Sequence, residues 1–422
     1  MGVRPGYKYT EVGVIPEDWD VRPLLTTVRI ANGQVDPRVE PYRAMTLVAP
    51  DHIESGTGRL LSRQTASDQR AISGKYLFGR GDIVYSKIRP YLRKAVLAEF
   101  DGLCSADMYP LKPAADVAGG FMLGILLGHR FTKYAESVSV RSGMPKINRA
   151  ELADFVVALP SALEQRAIAT ALCDVDALLI GLDRLIAKKR DLKQATMQQL
   201  LTGRTRLPGF HCKWEVKRLG EITTLIPGGV YGEEKPRDTL IASRVATTAH
   251  IEMDDTWNNK GMNVRYFSRD QIKCYSPIEG DLIVVKSSGS AASIQSGKIG
   301  FVNENKVGQF VFSNFLMLLR PAGIFPRFLY FYLCSNNVKK LLPALVEAST
   351  YPNIRIHEYL SVEIPVPPLL EQTAIAAVLS DMDAELSGLE ARRDKIRALK
   401  QAMMQELLTG KTRLVPAGAA HA

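Results

Sequence analysis

Residues 160–207 read PSALEQRAIATALCDVDALLIGLDRLIAKKRDLKQATMQQLLTGRTRL, and residues 367–414 read PPLLEQTAIAAVLSDMDAELSGLEARRDKIRALKQAMMQELLTGKTRL. The two segments align without a gap, and about 29 of the 48 aligned positions are identical. Gly203 aligns with Gly410, which gives an offset of 207 residues, close to half of the 422-residue chain. Such a match indicates that a whole structural unit was duplicated, and not a helix alone.

Each copy of the repeat predicts one long helix. Ser161 and Glu164 have the spacing of an N-terminal capping box, and Gly203 and Gly410 stand where a left-handed C-terminal cap belongs. Apolar residues recur at steps of three and four, which predicts one apolar seam along each helix. Two packings remain open, because each helix could pack on its own domain or the two copies could pack on each other. The seam residues are Ile168, Leu172, Val175, Leu179, Leu182 and Ile186 in the first copy and Ile375, Leu379, Met382, Leu386, Leu389 and Ile396 in the second.

The segments that precede the long helices differ from each other but share landmarks. Trp19 and Trp214 open the two halves and are expected to be core anchors. Later, Gly81-Asp82 and Gly280-Asp281 each form a predicted turn before a β-branched run. The pattern predicts strands over residues 82–88, 95–98, 282–286 and 310–319, and helical segments over residues 121–134 and 325–345.

The predicted fold is therefore α+β, with a pseudo-twofold internal duplication in which two α/β domains alternate with two long helices. Differences in length between the two α/β domains indicate that they bind different targets. The expected boundaries are residues 1–159 for the first domain, 160–206 for the first helix, 207–366 for the second domain, 367–414 for the second helix and 415–422 for a flexible tail.

The net charge, the cysteines and the apolar stretches of the chain indicate which kind of partner and which cellular compartment to expect. The chain has 54 Lys and Arg against 44 Asp and Glu, and this net charge of +10 favours a polyanionic partner, with nucleic acid the first to expect. The five cysteines are far apart, so a disulfide framework and a zinc ribbon are not expected and a reducing cytoplasm fits best. Polar residues at the start of the chain argue against a secretory leader. Arginines and prolines interrupt the most apolar stretch, residues 314–333, so no membrane span is expected.

No catalytic signature holds in this sequence. A phosphate-binding loop requires Ser or Thr after its Gly-Lys pair, but Ile299 follows Gly297-Lys298. The amino-methyltransferase signature, Asn/Asp-Pro-Pro-aromatic, is absent, since Leu369 follows Pro367-Pro368. The six histidines are scattered and lack the spacing of metal ligands. We therefore expect neither catalysis nor a bound metal or cofactor in this chain.

Basic and polar residues gather in two places in each half, directly after the Gly-Asp strand and shortly before the long helix. Cations and hydroxyls reach phosphates, and Arg and Asn pair with base edges, so these loops suit DNA. For any single residue the alternative is an ordinary solvated loop. The candidates in the first half are Ser86, Lys87, Arg89, Tyr91, Arg93, Lys94, Arg141, Lys146, Asn148 and Arg149. The candidates in the second half are Lys286, Ser287, Ser288, Ser290, Lys298, Tyr351, Asn353 and Arg355.

In this combination the chain resembles the DNA-specificity subunits of type I restriction–modification systems. The resemblance rests on the duplicated Leu-Glu-Gln…Leu-Leu-Thr-Gly helices, the Trp19-Asp20-Val21 and Trp214-Glu215-Val216 openings, and the stretch GDIVYSKIRPYL at residues 81–92. It covers nearly the whole chain. It implies that the two α/β domains are target-recognition domains, each reading half of a bipartite site in double-stranded DNA. It also implies that the helices form an antiparallel coiled coil that separates the two domains.

The same resemblance implies that partner subunits bind this chain and that these partners carry out the catalysis. Two methyltransferase subunits would dock on the helices, and restriction subunits would complete a complex that methylates adenine and cuts DNA. S-adenosylmethionine, ATP and Mg²⁺ are then expected in those partners, and this chain would be a non-catalytic cytoplasmic subunit. Two alternatives remain open at this point: the recognition subunit of a two-part type II restriction–methylation enzyme, and a coiled-coil scaffold that does not bind DNA.

Overall fold

The computed structural model describes residues 4–139, 143–258, 261–290, 293–306, 308–347 and 352–416. The chain divides into two compact units, Met1–Arg184 with Ala391–Ala422, and Leu185–Glu390. The predicted α+β class is confirmed. Each unit contains part of both long helices.

The first unit combines short strands with a few helices. Its strands are β1 (Tyr7–Thr10), β2 (Gly13–Pro16), β3 (Asp20–Pro23), β4 (Val28–Ile30), β5 (Leu47–Val48), β6 (Tyr76–Phe78), β7 (Ile83–Ser86), β8 (Ala95–Leu97), β9 (Gly102–Cys104), β10 (Met108–Pro113) and β11 (Val156–Leu159). Its helices are α1 (Leu24–Thr27), α2 (Gly119–Leu127), α3 (His129–Val138), α4 (Arg149–Ala153) and the beginning of the first long helix, α5 (Ala162–Leu200).

The second unit repeats this plan with additional short elements. Its strands are β12 (Glu215–Arg218), β13 (Thr223–Ile226), β14 (Ile241–Ala246), β15 (Val264–Phe267), β16 (Leu282–Val285), β17 (Gly289–Ser290), β18 (Ser293–Ile294), β19 (Ile299–Phe301), β20 (Phe310–Phe312), β21 (Leu316–Pro321), β22 (Val346–Glu347), β23 (Asn353–Ile354) and β24 (Glu363–Val366). Its helices are α6 (Arg269–Tyr275), α7 (Pro326–Cys334), α8 (Asn336–Lys339), α9 (Leu342–Leu345), α10 (Ile356–Leu360) and the beginning of the second long helix, α11 (Leu369–Leu407).

The central sheet has the same strand order in both units. It is the antiparallel sheet β4-β10-β7-β8 in the first unit and β13-β21-β16-β19 in the second. A second sheet, β5-β9-β6 or β15-β14-β20, includes one parallel pair in each case. A two-stranded ladder, β3-β11 or β12-β24, then ties the start of each domain to the strand before its long helix.

The central strands β7 and β16 are buried on both faces because alternate side chains meet different layers. Ile83 and Tyr85 share a core with helices α2, α3 and the start of α5, whereas Val84 packs against the smaller sheet. In the second unit Leu282 faces the helices and Ile283 faces the smaller sheet. Each central sheet therefore lies between helices and a second sheet, and its strand ends lead into surface loops.

Three predicted elements are interrupted in the structure. The helical segment at residues 121–134 is two helices, because the backbone at Gly128 is extended. The segment at residues 325–345 is α7, α8 and α9, with an extended Ser335 after the first. The strand at residues 310–319 is β20 and β21, separated by a turn at residues 313–315. The predicted helical or extended character is present in all three segments, and the breaks arise because Gly and Ser-Asn favour turns even within an apolar run.

The long helices α5 and α11 contain 39 residues each, which corresponds to about 58 Å at 1.5 Å per residue. Both end earlier than residues 206 and 414, the last positions predicted for them. Gly203 and Gly410 each have a φ of 69°, the left-handed conformation that glycine adopts most easily and that ends a helix.

Within each unit, the start of one long helix packs beside the end of the other. Ile168 shares the core of the first unit with Leu407, and Ile375 shares the core of the second unit with Leu200. The two copies of the repeat therefore pack on each other, in antiparallel directions, within each unit. Of the predicted seam residues, Ile168, Leu172, Leu182, Ile186, Ile375, Leu379 and Leu386 are buried, and Val175, Leu179, Met382, Leu389 and Ile396 are half-buried.

A buried carboxylate fastens the first domain to both helices. Glu164, near the start of α5, accepts a hydrogen bond from Trp19 Nε1 at 3.1 Å and two from the Arg413 guanidinium at 2.6 and 2.8 Å. The neighbouring Gln165 accepts a hydrogen bond at 2.8 Å from the backbone N–H of Ala118, directly before α2. Glu164 and Gln165 thus attach the first domain to the start of α5, and Arg413 attaches the segment that follows α11 to the same place.

The second unit contains the equivalent contacts, with the glutamate, glutamine and arginine offset by 207 residues and the tryptophan by 195. Glu371 accepts a hydrogen bond from Trp214 Nε1 at 3.0 Å and two from the Arg206 guanidinium at 2.5 and 2.6 Å. Gln372 accepts a hydrogen bond at 2.7 Å from the backbone N–H of Phe325, directly before α7. The arginine after each long helix therefore pairs with the glutamate at the start of the other one, as expected of a self-complementary contact between duplicated copies.

Candidate nucleic-acid interface

In both units the two predicted clusters lie side by side. In the first unit the loop after β7 is bridged to residues 145–147, with Ile147 N–H donating to the Lys87 carbonyl at 2.9 Å. In the second unit Ile354 N–H donates to the Lys286 carbonyl at 3.0 Å. Two separate stretches of sequence therefore form one surface in each domain, at the end of the central strand.

A third segment, absent from the sequence prediction, completes this surface. It is the turn before β10 or β21, whose backbone holds the loop after the central strand. Lys87 N–H donates to the Asp107 carbonyl at 3.0 Å, and Lys286 N–H donates to the Phe315 carbonyl at 2.9 Å. The Ser313-Asn314 pair in the second unit was a usable sequence signal, because both residue types favour turns.

The first unit presents several exposed cations on this surface. Arg89, Lys146 and Arg149 are exposed, and 52% of the Tyr91 surface is accessible. The Arg149 guanidinium donates to the Ala31 carbonyl at 3.1 Å and also contacts the Asn32 side chain, which adds the loop after β4 to the surface. These side chains can reach a polyanion without rearrangement of the core.

Other candidates in the first unit have structural partners. Lys94 Nζ donates to the Pro50 carbonyl at 2.6 Å, and Arg93 donates to the Leu127 carbonyl at 3.4 Å. Ser86 is buried and donates to the Ile88 carbonyl at 3.0 Å, while Asn148 accepts from Glu151 N–H at 2.9 Å and caps α4. Half-buried Lys87 lies 5.4 Å from the centre of the Tyr109 ring. The side chains of these five residues contact other parts of the domain and thereby stabilise the loops.

The second unit presents fewer exposed cations at the same place. Lys286 is half-buried and donates to the Pro227 carbonyl at 3.1 Å. Arg355 is exposed but pairs with Glu358 at 2.7 Å and contacts the Ala344 carbonyl. The two domains therefore present different chemistry on the same backbone framework.

The remaining candidates of the second unit are buried, half-buried or outside the described residues. Lys298 is buried, donates to the Thr248 carbonyl at 3.3 Å, and has a pKa lowered by its burial. Ser287 is buried, and the backbone N–H of half-buried Ser288 donates to Ser296 Oγ at 3.1 Å. Half-buried Asn353 belongs to β23. Arg141, Tyr351 and the side chain of Ser290 lie outside the described residues.

The Gly-Asp motif that precedes each central strand has a structural role. Asp281 is buried, accepts from Ile278 N–H at 2.8 Å, and forms two hydrogen bonds with the Arg320 guanidinium at 2.9 and 2.8 Å. In the first unit Asp82 accepts from Gly79 N–H at 2.8 Å. The motif closes a turn at the end of the strand opposite to the candidate interface.

The described part of the chain contains neither a candidate metal site nor a candidate membrane span. Among those residues there is no group of three or more His, Cys, Asp or Glu side chains that could hold a metal ion. None of the helices described there has both the length and the apolar character needed to cross a membrane.

Comparison with known proteins identifies relatives of both halves. The family model of the type I restriction modification DNA specificity domain matches residues 212–398. The EcoDI type I restriction enzyme specificity subunit of Escherichia coli is 32% identical over 201 residues, and the alignment spans 47% of this chain and 44% of that protein. The MjaX protein of Methanocaldococcus jannaschii, named as a putative type I restriction enzyme specificity subunit, is 24% identical over 97% of each chain.

Solved structures share the fold at low identity. The S subunit of a type I restriction–modification system from M. genitalium matches with a TM-score of 0.56 and 13% identity, over 96% of this chain and 98% of that one. A chain from structural work on complex assembly of the type I R-M system also has a TM-score of 0.56, with 19% identity over 94% and 99% of the two chains. The likeness to these two structures is one of fold.

Proposed function

Because this chain belongs to the family of type I restriction–modification DNA specificity subunits, we propose that it binds duplex DNA and that each unit reads one half of a bipartite site. The observation that carries the proposal is the shared surface in which three loop segments meet at the end of the central sheet in both units. Exposed cations there would bind phosphates and supply affinity, while neighbouring polar and aromatic groups would select bases.

The two long helices would set the distance between the half-sites. Each helix contains 39 residues, and a rigid helix keeps a fixed length of about 1.5 Å per residue. Two readers on one face of B-DNA must be separated by about one helical turn, roughly 34 Å, or a multiple of it. The antiparallel contact of the two copies within each unit supports a stiff connection.

Catalysis would come from partner subunits, and this chain would be non-catalytic. We assign S-adenosylmethionine, ATP and Mg²⁺ to methyltransferase and restriction subunits.

Leu185 and Leu192, seven residues apart on α5, are 39% and 51% exposed and offer an apolar surface for a methyltransferase subunit. Replacement of both by lysine should reduce the methyltransferase that co-purifies with the chain; unchanged co-purification would contradict this docking surface.

The proposed DNA-binding function is tested by selection of bound duplexes from a random library with the full-length protein. The expected product is a split site with two defined halves, and binding should weaken steeply as salt rises. Selection of no sequence, or binding that is insensitive to salt, would contradict the proposal and would favour a scaffold that does not bind DNA.

The same assay can test the exposed cations individually. Arg89→Ala and Lys146→Ala should each weaken binding, and a lost phosphate contact should reduce the slope of log affinity against log salt by about 1. Lys112→Ala is the matched control, because Lys112 is exposed in the same unit but near the opposite end of β10.

A further inference from the structure

Asp107 and Phe315 occupy the same position in the two duplicated domains. Met108 pairs with Ser86 in the first sheet, and Leu316 pairs with Val285 in the second, so the residue before each strand is equivalent. The hydrogen bonds confirm this equivalence, since the carbonyl of Asp107 accepts from Lys87 N–H and the carbonyl of Phe315 accepts from Lys286 N–H.

Phe315 is an exposed aromatic residue on a fixed turn. Its surface is 53% accessible although its neighbour Leu316 is fully buried. Its carbonyl accepts two hydrogen bonds, from Lys286 N–H at 2.9 Å and Ser287 N–H at 3.3 Å, so the backbone is held firmly. The position therefore presents a phenyl ring to the surface where the candidate loops meet.

The surroundings of Phe315 keep that ring accessible. The adjacent loop passes so close that a Cβ atom at Gly229 would lie 1.8 Å from the Phe312 carbonyl oxygen, so only glycine fits there. Asn314 beside the ring is exposed as well. An exposed apolar side chain next to an exposed polar one suits a contact with the apolar edge of a base.

Asp107 presents the opposite chemistry on the same backbone position. It is exposed, like Phe315, and its carbonyl accepts from the N–H of Lys87, in the loop that also carries exposed Arg89. A carboxylate is repelled by phosphates, whereas an amino group on a base edge can donate a hydrogen bond to it. Asp and Glu accept hydrogen bonds from the N4 amino group of cytosine in the major groove, whereas Phe contacts the methyl group of thymine.

We propose that this shared position reads one base in each half-site, with Asp107 selecting cytosine in one half and Phe315 selecting thymine in the other. The inference rests on the proposed DNA-binding function and adds to it the residue and the base class. One backbone framework then yields two different specificities through a single change of side chain.

The test is duplex selection with full-length wild-type protein, Asp107→Ala and Phe315→Ala. Each variant should lose its base preference at one position of one half-site and leave the other half-site unchanged. Glu17→Ala and Met253→Ala are matched controls, because both residues are exposed in the corresponding units and belong to none of the three loop segments. These controls should select the wild-type site.

A second measurement isolates the methyl contact. Replacement of the selected thymine by uracil removes only the methyl group, and it should weaken wild-type binding by about fivefold or more. The same replacement should have no further effect on Phe315→Ala. If both variants select the wild-type site with wild-type affinity, the base-reading inference fails while the DNA-binding function stands. If the wild-type protein selects no sequence, both fail.

Discussion

Glu164 and Glu371 are fully buried, and each accepts hydrogen bonds from a tryptophan and an arginine. The capping-box spacing at Ser161 is only half used: Ser161 Oγ accepts from Glu164 N–H at 3.3 Å, while the carboxylate binds Trp19 and Arg413. Burial lowers the pKa of Arg413, but its hydrogen bonds with Asp18 and Glu164 outweigh this effect and hold that pKa above the ordinary value. A buried carboxylate of this kind is stabilised only as long as its cation stays in place.

Glu164→Gln should lower the free energy of unfolding by about 2–3 kcal/mol, because the change removes the charge that compensates a mostly buried guanidinium. Urea unfolding of the full-length chain, followed by circular dichroism, measures this loss. The control is Asp20→Asn, which breaks an exposed ion pair with Arg22 and should cost less than about 1 kcal/mol. Equal effects of the two substitutions would contradict the role assigned to Glu164.

Asp18 provides a pH-dependent prediction. The hydrogen bond from Arg413 lowers the pKa of Asp18 from its ordinary value of 3.8. A carboxyl group with a lowered pKa stabilises the folded state above its ordinary pKa, and this contribution is lost as the pH falls through the folded value. Because 44% of the side chain is exposed, the contribution is below about 1 kcal/mol. Asp18→Asn should therefore unfold slightly earlier in urea than the wild type at pH 7, and the midpoints should converge below pH 3.8. A constant difference would contradict the prediction.

At the scale of the helices, the repeat creates reciprocal ion pairs. Asp176 binds Lys400 at 2.6 Å in the first unit, and the equivalent pair in the second unit joins Lys193 with Asp383. Each pair links one copy to the other at the offset of 207 residues. Each copy of the repeat supplies one aspartate and one lysine, so the same two positions form an ion pair in each unit. Both pairs favour the same antiparallel register of the two helices.

The charge reversal Asp176→Lys should destabilise the chain by about 1–2 kcal/mol, because it places two cations together in a partly buried seam. The double variant with Lys400→Asp should recover most of the loss. Asp174→Lys is a suitable control, since Asp174 is exposed on the same helix. Thermal unfolding of all four proteins measures the coupling, and an absence of recovery would show that this pair does not hold the register.

The long helices were predictable because their signal is a periodic seam sustained over the whole helix and repeated in a second copy. The turn that holds Phe315 was not predicted, because the apolar run on both sides of Ser313-Asn314 reads as one strand. The meeting of the loop at Lys87 with the segment at Ile147 depends on long-range strand pairing, which no local pattern encodes. The loops were therefore predictable as candidates, but their common surface was not. For the same reason buried Ser86 and Lys298 could not be told apart from exposed Arg89 by residue type alone.

The whole molecule combines a duplicated framework with two halves that have diverged. The long helices and the buried Glu164 and Glu371 keep nearly the same contacts in both copies, whereas the loops at the ends of the two central sheets carry different side chains. The proposed function depends on this divergence, since a bipartite DNA site requires two unlike readers.

Insertion of three heptads in both helices, after Arg184 and after Ala391, provides the most direct test. Three heptads preserve the seam because the apolar repeat is kept, and they lengthen each helix by about 32 Å, close to the roughly 34 Å of one turn of B-DNA. Duplex selection with the variant should return the same two half-sites as the wild type, separated by about nine additional base pairs at 3.4 Å each. An unchanged gap, or half-sites of altered sequence, would contradict the claim that the paired helices set the distance between two independent readers.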